Sequence, residues 1–376
     1  MERNFEYAVS AAGRVNIIGE HVDYCGGKVF PAALSLKNTI YIKRAEGKAI
    51  ELNWTDLPDS IVLDLTNLER YKTVKHASYF AACAYVLQKI GVDVPGAVVL
   101  SDCTVPFGSG LSSSAAIEVS FIAALLAIAG VKKSPVEIAL LAQRAEREFV
   151  GAECGIMDQY ASACGKKDRA LLLSCDSLSC EEVPLRLGDY ALVLANTNKP
   201  HSLIGGKYSE RRAETARAFE LLKARTSASC LAAVTKTELE KNKEVLPPLL
   251  YKRAKHVVEE VARVNEAANA MKKGDLVTLG ALLKASHASL RDLFEVTGKE
   301  LDSLAAAAND FKGCLGSRMT GGGFGGSTVS IVKKSEIARF EEEVGARYEK
   351  EIGYKASFYV AEIADGLTVE KTGVGK

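Results

Sequence analysis

The chain has 376 residues, of which 48% are apolar and 25% are charged. This length exceeds what one ordinary hydrophobic core holds, so we expect a globular protein of two domains. With 48 basic and 47 acidic residues the formal net charge is only +1, which argues against nucleic acid or an anionic membrane as a partner.

The cysteines and the apolar segments indicate a cytoplasmic protein. The nine cysteines include no Cys-x-x-Cys pair, so we expect reduced, mostly buried thiols rather than a disulfide framework or a zinc site. The first seven residues lack the apolar core of a signal peptide. The longest apolar run, residues 121–131, is too short to span a bilayer.

The first 65 residues are predicted to form strands, with short apolar runs at 40–43, 49–53 and 61–65. Ahead of these runs lies a dense polar stretch. Arg14 precedes a strand-like segment at 15–18, and Glu20, His21 and Asp23 follow in a loop bounded by glycines. Such a loop offers several acceptors to the hydroxyls of a small molecule. Taken singly, each side chain is more simply a surface or structural group; taken together, they favour a binding site.

A helix is predicted over residues 71–90 and a strand over 96–103, which leads into a loop at 105–116. Gly108 and Gly110 bracket Ser109, and glycine permits the positive φ angles of a curled loop. Three serines, 112–114, open a long apolar helix that runs to about residue 129; they offer capping hydroxyls beside unpaired N–H groups. This loop is typical of a phosphate cradle. The alternative is a turn that only caps a core helix.

The next helix opens at Ser134 with a capping box and a proline at its first position, and is predicted to end near residue 149. Glu146, in its last turns, belongs to a charge cluster typical of a solvated face. Asp158 follows a glycine and two large apolar residues. This context suits a carboxylate in a partly dry site that acts as a base, but equally an acid stabilised at a helix N-terminus.

The second half begins with strands at 170–174 and 191–195, a polar loop at 196–203 and a helix at 208–222. Residues 225–312 are predicted to be a helical scaffold, and the tail a strand at 329–332, a helix at 334–352 and a strand at 356–361. Between scaffold and tail, residues 317–328 include five glycines in six positions. These glycines allow close backbone approach and could close under the phosphate loop. A flexible linker is the weaker alternative, because Phe324 is not a linker residue.

Four motifs resemble, in order and spacing, those of the galactokinase family, within the superfamily of galactokinase, homoserine kinase, mevalonate kinase and phosphomevalonate kinase. They are residues 13–24, 108–114, 154–159 and 319–326. The first motif is the specific one, because other kinases of the superfamily share the serine loop but lack Gly-Glu-His-x-Asp. Ala12 and Cys25 depart from the proline and asparagine that are common in the family, and Pro200 and His201 lie in a loop that varies.

The resemblance implies a two-domain α+β small-molecule kinase fold with mixed sheets and helices and an active site in the interdomain cleft. The N-terminal domain would be residues 1–190, with the sugar motif, the phosphate loop and the catalytic Asp. The C-terminal domain would be residues 191–376, with the helical scaffold, the glycine motif and the last strands.

The resemblance also implies a role for each matching residue. Asp158 would be the catalytic base and Arg14 the cation beside it. The sugar would be bound by Glu20, His21, Val22, Asp23, Gly155 and Tyr208. ATP would be bound by Gly108, Ser109, Gly110, Leu111, Ser112, Ser113 and Ser114. Ser114 and Glu146 would be the Mg²⁺ ligands, which overturns the prediction of a solvated Glu146.

The function implied is ATP-dependent phosphorylation of the anomeric hydroxyl of galactose, with Mg²⁺ as cofactor, by a monomer. One alternative is a kinase for N-acetylgalactosamine or another neutral sugar. A second is a non-catalytic sugar sensor, which is disfavoured because the serine loop is complete and Asp158 is present. A Walker-type kinase is excluded by the absence of its glycine-rich sequence motif. A protein kinase is disfavoured, because the sequence has no His-Arg-Asp or Asp-Phe-Gly element.

Overall fold

The computed structural model of the protein describes residues 5–199 and 204–372. The expected polar loop at 196–203 therefore falls partly, with Pro200 and His201, outside the described residues. Within them the chain forms three β-sheets with helices packed around them. The predicted α+β class is confirmed.

The largest sheet has six strands and carries the first sequence motif at one end of its longest pair. Its strands, in spatial order, are Thr368–Lys371 (β13), Tyr7–Asn16 (β1), Pro31–Arg44 (β3), Ala97–Cys103 (β6), Ala49–Trp54 (β4) and Ile61–Asp64 (β5). The register of β1 against β3 shifts between Ala12 and Arg14. A β-bulge of this kind re-aims the neighbouring side chain, and here that side chain is Arg14.

Four helices pack together beside this sheet. They are Ser78–Lys89 (α1), Ser113–Ala129 (α2), Pro135–Ala145 (α3) and Met157–Cys164 (α4). Two of them, α2 and α4, pack directly on β1 and β3. Helix α2 is buried around most of its circumference and is largely apolar, because it packs on β1 and β3 and also contacts α1, α3 and α4. The position of α2 at the centre of this layer fixes the phosphate loop at its N-terminus.

The other two sheets are smaller. One has the order Cys314–Thr320 (β10), Ser327–Lys333 (β11), Tyr190–Asn196 (β9) and Ser357–Ala361 (β12); the other has Lys28–Val29 (β2), Arg169–Ser174 (β7) and Cys180–Pro184 (β8). The scaffold helices are Ile204–Lys223 (α5), Lys236–Lys241 (α6), Pro248–Lys273 (α7), Leu276–Ser289 (α8), Gly298–Asp310 (α9) and Ile337–Ile352 (α10). Helices α8, α9 and α10 pack on the four-stranded sheet.

Some sequence-based boundaries were wrong. The helix expected from residue 71 begins only at Ser78, because the chain turns at His76, whose φ is +69°. Strands β8, β10 and β13 were not predicted. In addition, β13 pairs with β1, so a segment of the expected C-terminal domain completes the N-terminal sheet. The division near residue 190 otherwise stays a prediction.

One hydrophobic cluster contains residues from both halves of the chain. Val15, Ile17 and Leu111 pack in it with Leu192, Val264 and Val329, all at most 1% exposed. All nine cysteines lie in the described ranges and are free thiols. No helix in those ranges has the length and apolar character needed to cross a membrane.

Candidate active site

Arg14 and Asp158 form the centre of the site. Arg14 is 4% exposed, and its Nε and Nη2 donate to Oδ1 and Oδ2 of Asp158 at 3.0 and 2.9 Å. This two-point geometry fixes both side chains more firmly than a single contact would. Asp158 lies in the first turn of α4 and keeps 32% of its side chain exposed. Asp158 therefore lies both at a helix N-terminus and in a partly dry site, so the two environments expected from the sequence are both present.

The phosphate loop curls as its glycines predict. Gly108 and Gly110 have φ values of +71° and +74°, and helix α2 begins at Ser113. Ser109 donates its hydroxyl to the carbonyl of Pro106 at 2.6 Å. The expected serine cap is wrong: Ser112 has a left-handed backbone and makes no capping hydrogen bond. The hydroxyl of Ser112 donates to Oδ2 of Asp158 instead.

The glycine motif packs directly against this loop, as expected. A Cβ atom on Gly321 would lie 3.0 Å from the carbonyl oxygen of Gly110, and one on Gly326 would lie 3.3 Å from that of Ser109. The hydroxyl of Ser327 donates to the same Ser109 oxygen at 2.6 Å. Larger residues at these glycines would separate the two segments.

Glu20 is held by the C-terminal half of the chain. Its side chain is almost fully buried, and Oε1 accepts hydrogen bonds from Arg318 Nη2 (3.0 Å), Thr320 Oγ1 (3.2 Å) and the Gly321 amide (2.7 Å). Three donors on one oxygen leave Oε2 for other partners. Arg318, which is fully buried, was not among the predicted site residues. An arginine inside an otherwise uncharged strand is the sequence signal for it.

His21 is buried and has one nitrogen without a partner. Nδ1 forms a 2.8 Å hydrogen bond with the hydroxyl of Tyr24, whereas Nε2 makes none with the described residues. The ring packs against Phe294 and Tyr208, at centroid distances of 4.9 and 5.6 Å. Burial, aided by nearby His256, lowers the pKa of His21 to about 3. His21 is therefore neutral at pH 7, and Nε2 is available to a ligand.

Asp23 lies opposite Gly155. A Cβ atom added at Gly155 would be only 1.6 Å from Oδ2 of Asp23. Burial, followed by the charge of Asp158, raises the pKa of Asp23 to about 7. Val22, between His21 and Asp23, does not line this space. Its side chain is fully buried and its carbonyl accepts from the amides of Cys25 and Gly27, so the predicted contact of Val22 with the sugar has no support.

Glu146 does not lie on a solvated face. It begins a π-helical turn, Glu146–Val150, that follows α3, and it is only 8% exposed; such turns occur frequently at functional sites. Gln159 Nε2 donates to Oε2 of Glu146 at 2.7 Å and to Oε2 of Glu118 at 3.2 Å. Burial, then the charge of Asp158, raises the pKa of Glu146 to about 7.

The donor set around Glu146 fits a hard cation. Glu118 is fully buried, and its Oε1 has no hydrogen-bond partner among the described residues. Ser114 opens onto the same cavity as Glu146 and Asp158, and Mg²⁺ takes oxygen ligands of this kind. The described ranges contain no group of three or more His, Cys, Asp or Glu side chains that could by themselves hold a metal ion. An ion held here would therefore need further oxygen ligands from a phosphate or water.

Most of the predicted polar site residues meet in one cavity of about 130 Å³. Those that line it are Arg14, Glu20, His21, Asp23, Ser114, Glu146, Gly155, Asp158 and Tyr208. Leu111 is not among them: its side chain is buried in the core, while its carbonyl accepts from the amide of Arg14 at 3.0 Å.

A second cavity of about 520 Å³ adjoins the first at Ser114. Trp54, Tyr79 and Phe107 line it, together with Ser113. Phe107 is 59% exposed, and an exposed aromatic ring beside a phosphate loop is a feature that sequence analysis passed over. The aromatic walls suit a planar group.

Three family models match the chain. The galactokinase galactose-binding signature matches residues 2–44, the GHMP kinases N terminal domain residues 77–166, and the GHMP kinases C terminal domain residues 267–350. The first contains the loop of Glu20, His21 and Asp23, and the second contains the phosphate loop and Asp158.

Known proteins are similar over nearly the whole length. The chain is 44% identical to a galactokinase of Halalkalibacterium halodurans, covering 96% of this chain and 92% of that protein. It is 42% identical to one of Lactobacillus helveticus, covering 94% and 92%. The crystal structure of Lactococcus lactis galactokinase complexed with galactose matches with a TM-score of 0.95 at 38% identity, covering 98% and 95%.

A more distant match bears on the fold alone. The mevalonate kinase of Methanococcus jannaschii matches with a TM-score of 0.69 at 18% identity, covering 96% of this chain and 100% of that chain. Together with the much higher identity to the galactokinases, these matches show that the chain has the two-domain GHMP kinase fold and belongs to the galactokinase family of sugar kinases.

Proposed function

We propose that the protein transfers the γ-phosphoryl group of ATP to the anomeric hydroxyl of galactose. The single observation that best supports this is the position of the Arg14–Asp158 pair. Arg14 Nη1 donates to the carbonyl of Gly110 in the phosphate loop at 2.5 Å, while Asp158 faces the cavity that contains Glu20 and Asp23. An acceptor hydroxyl and a phosphate would meet at this pair.

The sugar would occupy the smaller cavity. Oε2 of Glu20, Nε2 of His21 and the carboxyl of Asp23 would bind its hydroxyls, with the backbone of Gly155 and the hydroxyl of Tyr208 completing the site. The carboxylates favour a neutral sugar, because an acidic substrate beside them would be repelled. The space around Gly155 limits which substituents the ring carries.

Asp158 would accept the proton of the anomeric hydroxyl. As that O–H bond breaks, the oxygen forms a bond with the γ-phosphorus, and the bond from the γ-phosphorus to the bridging oxygen of ADP breaks. Such transition states are largely dissociative, so positioning and charge matter most. Arg14 would offset the negative charge that develops between Asp158 and the phosphate.

The nucleotide would be held by the loop from Gly108 to Ser114 and by the second cavity. Amide N–H groups at the start of α2 point toward a bound anion, and no described side chain caps them. The adenine ring would lie between Trp54, Tyr79 and Phe107. Ser114 and Glu146 would hold a magnesium ion, which supplies positive charge to the outer phosphates when bound.

We further propose that the functional unit is a monomer. The nine free thiols favour a reducing compartment, so we place the protein in the cytoplasm. The domain division near residue 190, with the site in the cleft, is part of the same proposal.

The test is an ADP-release assay with a panel of sugars, using the wild-type protein and Asp158→Asn. We expect release with galactose, and a loss of kcat of roughly 10²- to 10⁴-fold in the variant with sugar binding retained by calorimetry. Full turnover by Asp158→Asn would refute the base assignment. Equal kcat/KM for N-acetylgalactosamine would favour the broader sugar kinase, and binding without any ADP release would favour a sensor.

A further inference from the structure

Ser112 has a left-handed backbone conformation, which glycine adopts more easily than serine. Its φ and ψ are +62° and +48°, the left-handed region in which residues other than glycine are disfavoured. Gly108 and Gly110, at the neighbouring turns of the same loop, have positive φ values as glycines. A non-glycine residue is held in this region only when its surroundings fix it there, and such residues concentrate at functional sites.

The hydroxyl of Ser112 shows what this conformation achieves. It points away from the N-terminus of α2, where a serine ordinarily caps, and donates to Oδ2 of Asp158. Arg14 already donates to both oxygens of that carboxylate. Oδ2 therefore accepts two hydrogen bonds and Oδ1 one, which leaves Oδ1 as the oxygen with room for an incoming hydroxyl.

The same short segment also holds Arg14. The carbonyl of Gly110 accepts from Arg14 Nη1 at 2.5 Å and that of Leu111 from the Arg14 amide at 3.0 Å. Three consecutive residues of the phosphate loop thus hold the Arg14–Asp158 pair. The carbonyls of Gly110 and Leu111 contact Arg14, and the side chain of Ser112 contacts Asp158.

We propose that Ser112 is a positioning residue for the reaction: its hydroxyl holds Oδ2 so that Oδ1 faces the sugar hydroxyl, and it transmits the geometry of the phosphate loop to Asp158. This inference rests on the proposed role of Asp158. It assigns Ser112 to the proton acceptor rather than to the phosphates, which is where the family resemblance alone would place it.

The test compares Ser112→Ala with Ser112→Gly. Both remove the hydroxyl, but only glycine relieves the left-handed backbone, so Ser112→Gly should melt at a higher temperature than Ser112→Ala. We nevertheless expect kcat to fall in both by roughly 10- to 100-fold, as for a lost hydrogen bond to a charged group. KM for galactose and for ATP should change by less than about threefold, because the variants do not alter interactions that bind the ground state and the transition state equally.

Ser134→Ala is the matched control. Ser134 caps α3 with its hydroxyl at the surface, so this variant loses thermal stability through a missing cap but should retain wild-type kcat. If Ser112 only shapes the turn, Ser112→Gly will keep wild-type kcat, and the proposal is wrong. If Ser112 binds phosphate, KM for ATP will rise in both variants, which also overturns it.

Failure of this inference is distinguishable from failure of the proposed function. Wild-type turnover in Asp158→Asn would show that Asp158 is not the proton acceptor. An inactive Asp158→Asn combined with wild-type kcat in both Ser112 variants would leave the acceptor in place and remove only the role of Ser112.

Discussion

At the scale of single residues, the smaller cavity, proposed to bind the sugar, depends on the absence of a side chain at Gly155. The absent side chain leaves the space that the carboxyl of Asp23 occupies. Gly155 does not have a positive φ, so its identity is dictated by this space rather than by backbone strain. Glycine and aspartate therefore act as a pair, although 132 positions of sequence separate residues 23 and 155.

Gly155→Ala should accordingly impair sugar binding selectively. The new methyl group would displace Asp23, and we expect KM for galactose to rise by roughly tenfold or more, as for a lost hydrogen bond to a charged group, with KM for ATP within about twofold. Steady-state kinetics with each substrate varied in turn would measure this. Gly206→Ala is the control, since a Cβ atom there meets nothing within 4 Å; an equal loss in both variants would contradict the prediction.

The raised pKa of Asp23 predicts a pH dependence of stability. Its carboxyl has a pKa of about 7 in the folded protein and about 4 when unfolded. Between those values the folded state binds more protons, so the free energy of unfolding falls as pH rises and this contribution levels off above about pH 7.

Asp23→Asn removes that titration. Urea unfolding at pH 5 and pH 7 should show a smaller loss of stability in the variant than in the wild type, by at most about 1.4 kcal/mol per pH unit. Parallel pH profiles for the two proteins would show that Asp23 ionises normally in the folded state.

At the scale of elements, strand β10 is the support of the sugar motif. Arg318, Thr320 and the Gly321 amide at its end converge on one oxygen of Glu20. Arg318 also donates to the carbonyls of Asn16 and Ile17. The strand that runs into the glycine motif therefore orients the acid of the first motif and also leads into the turn that packs on the phosphate loop.

Thr320→Val should loosen Glu20 without changing the volume of the side chain. It removes the hydrogen bonds of Oγ1 with Glu20 and with the backbone of Asn16. We expect the free energy of unfolding to fall by about 1–3 kcal/mol. Relative to wild type, KM for galactose should rise more than KM for ATP. Thr320→Ser keeps the hydroxyl and should have the wild-type KM for galactose. If the serine variant is as impaired as the valine variant, the lost methyl group and not the hydroxyl is responsible.

Elements with local sequence signals could be predicted, whereas contacts between residues distant in sequence could not. The capping box of Ser134, the positive φ of Gly108 and the apolar helix α2 follow from neighbouring residues, and all three are present. The hydroxyl direction of Ser112 and the burial of Arg318 depend on partners far along the chain. Glu146 illustrates the difference, since its local charge pattern indicated solvent while its tertiary neighbours bury it.

At the scale of the whole molecule, the two halves share a core and a sheet. The cluster around Val15 and Leu111 includes Val264 and Val329, and β13 pairs with β1. The predicted domain boundary near residue 190 therefore does not mark a point at which the chain separates into independent cores.

We expect thermal unfolding as one cooperative transition. Differential scanning calorimetry should give a van't Hoff enthalpy equal to the calorimetric enthalpy, because two of the three hydrophobic clusters among the described residues contain side chains from both halves. Two resolved transitions, or a van't Hoff value well below the calorimetric one, would show that the halves unfold independently.

The ion pair between Glu20 and Arg318 joins residues 298 positions apart. During synthesis, the ribosome therefore releases the entire galactose-recognition motif long before it releases the strand that orients it. A nascent chain from which every proposed sugar-binding residue of that motif has emerged still lacks the side chain that orients Glu20, and we expect it to bind the sugar only after Arg318 and Gly321 have been translated.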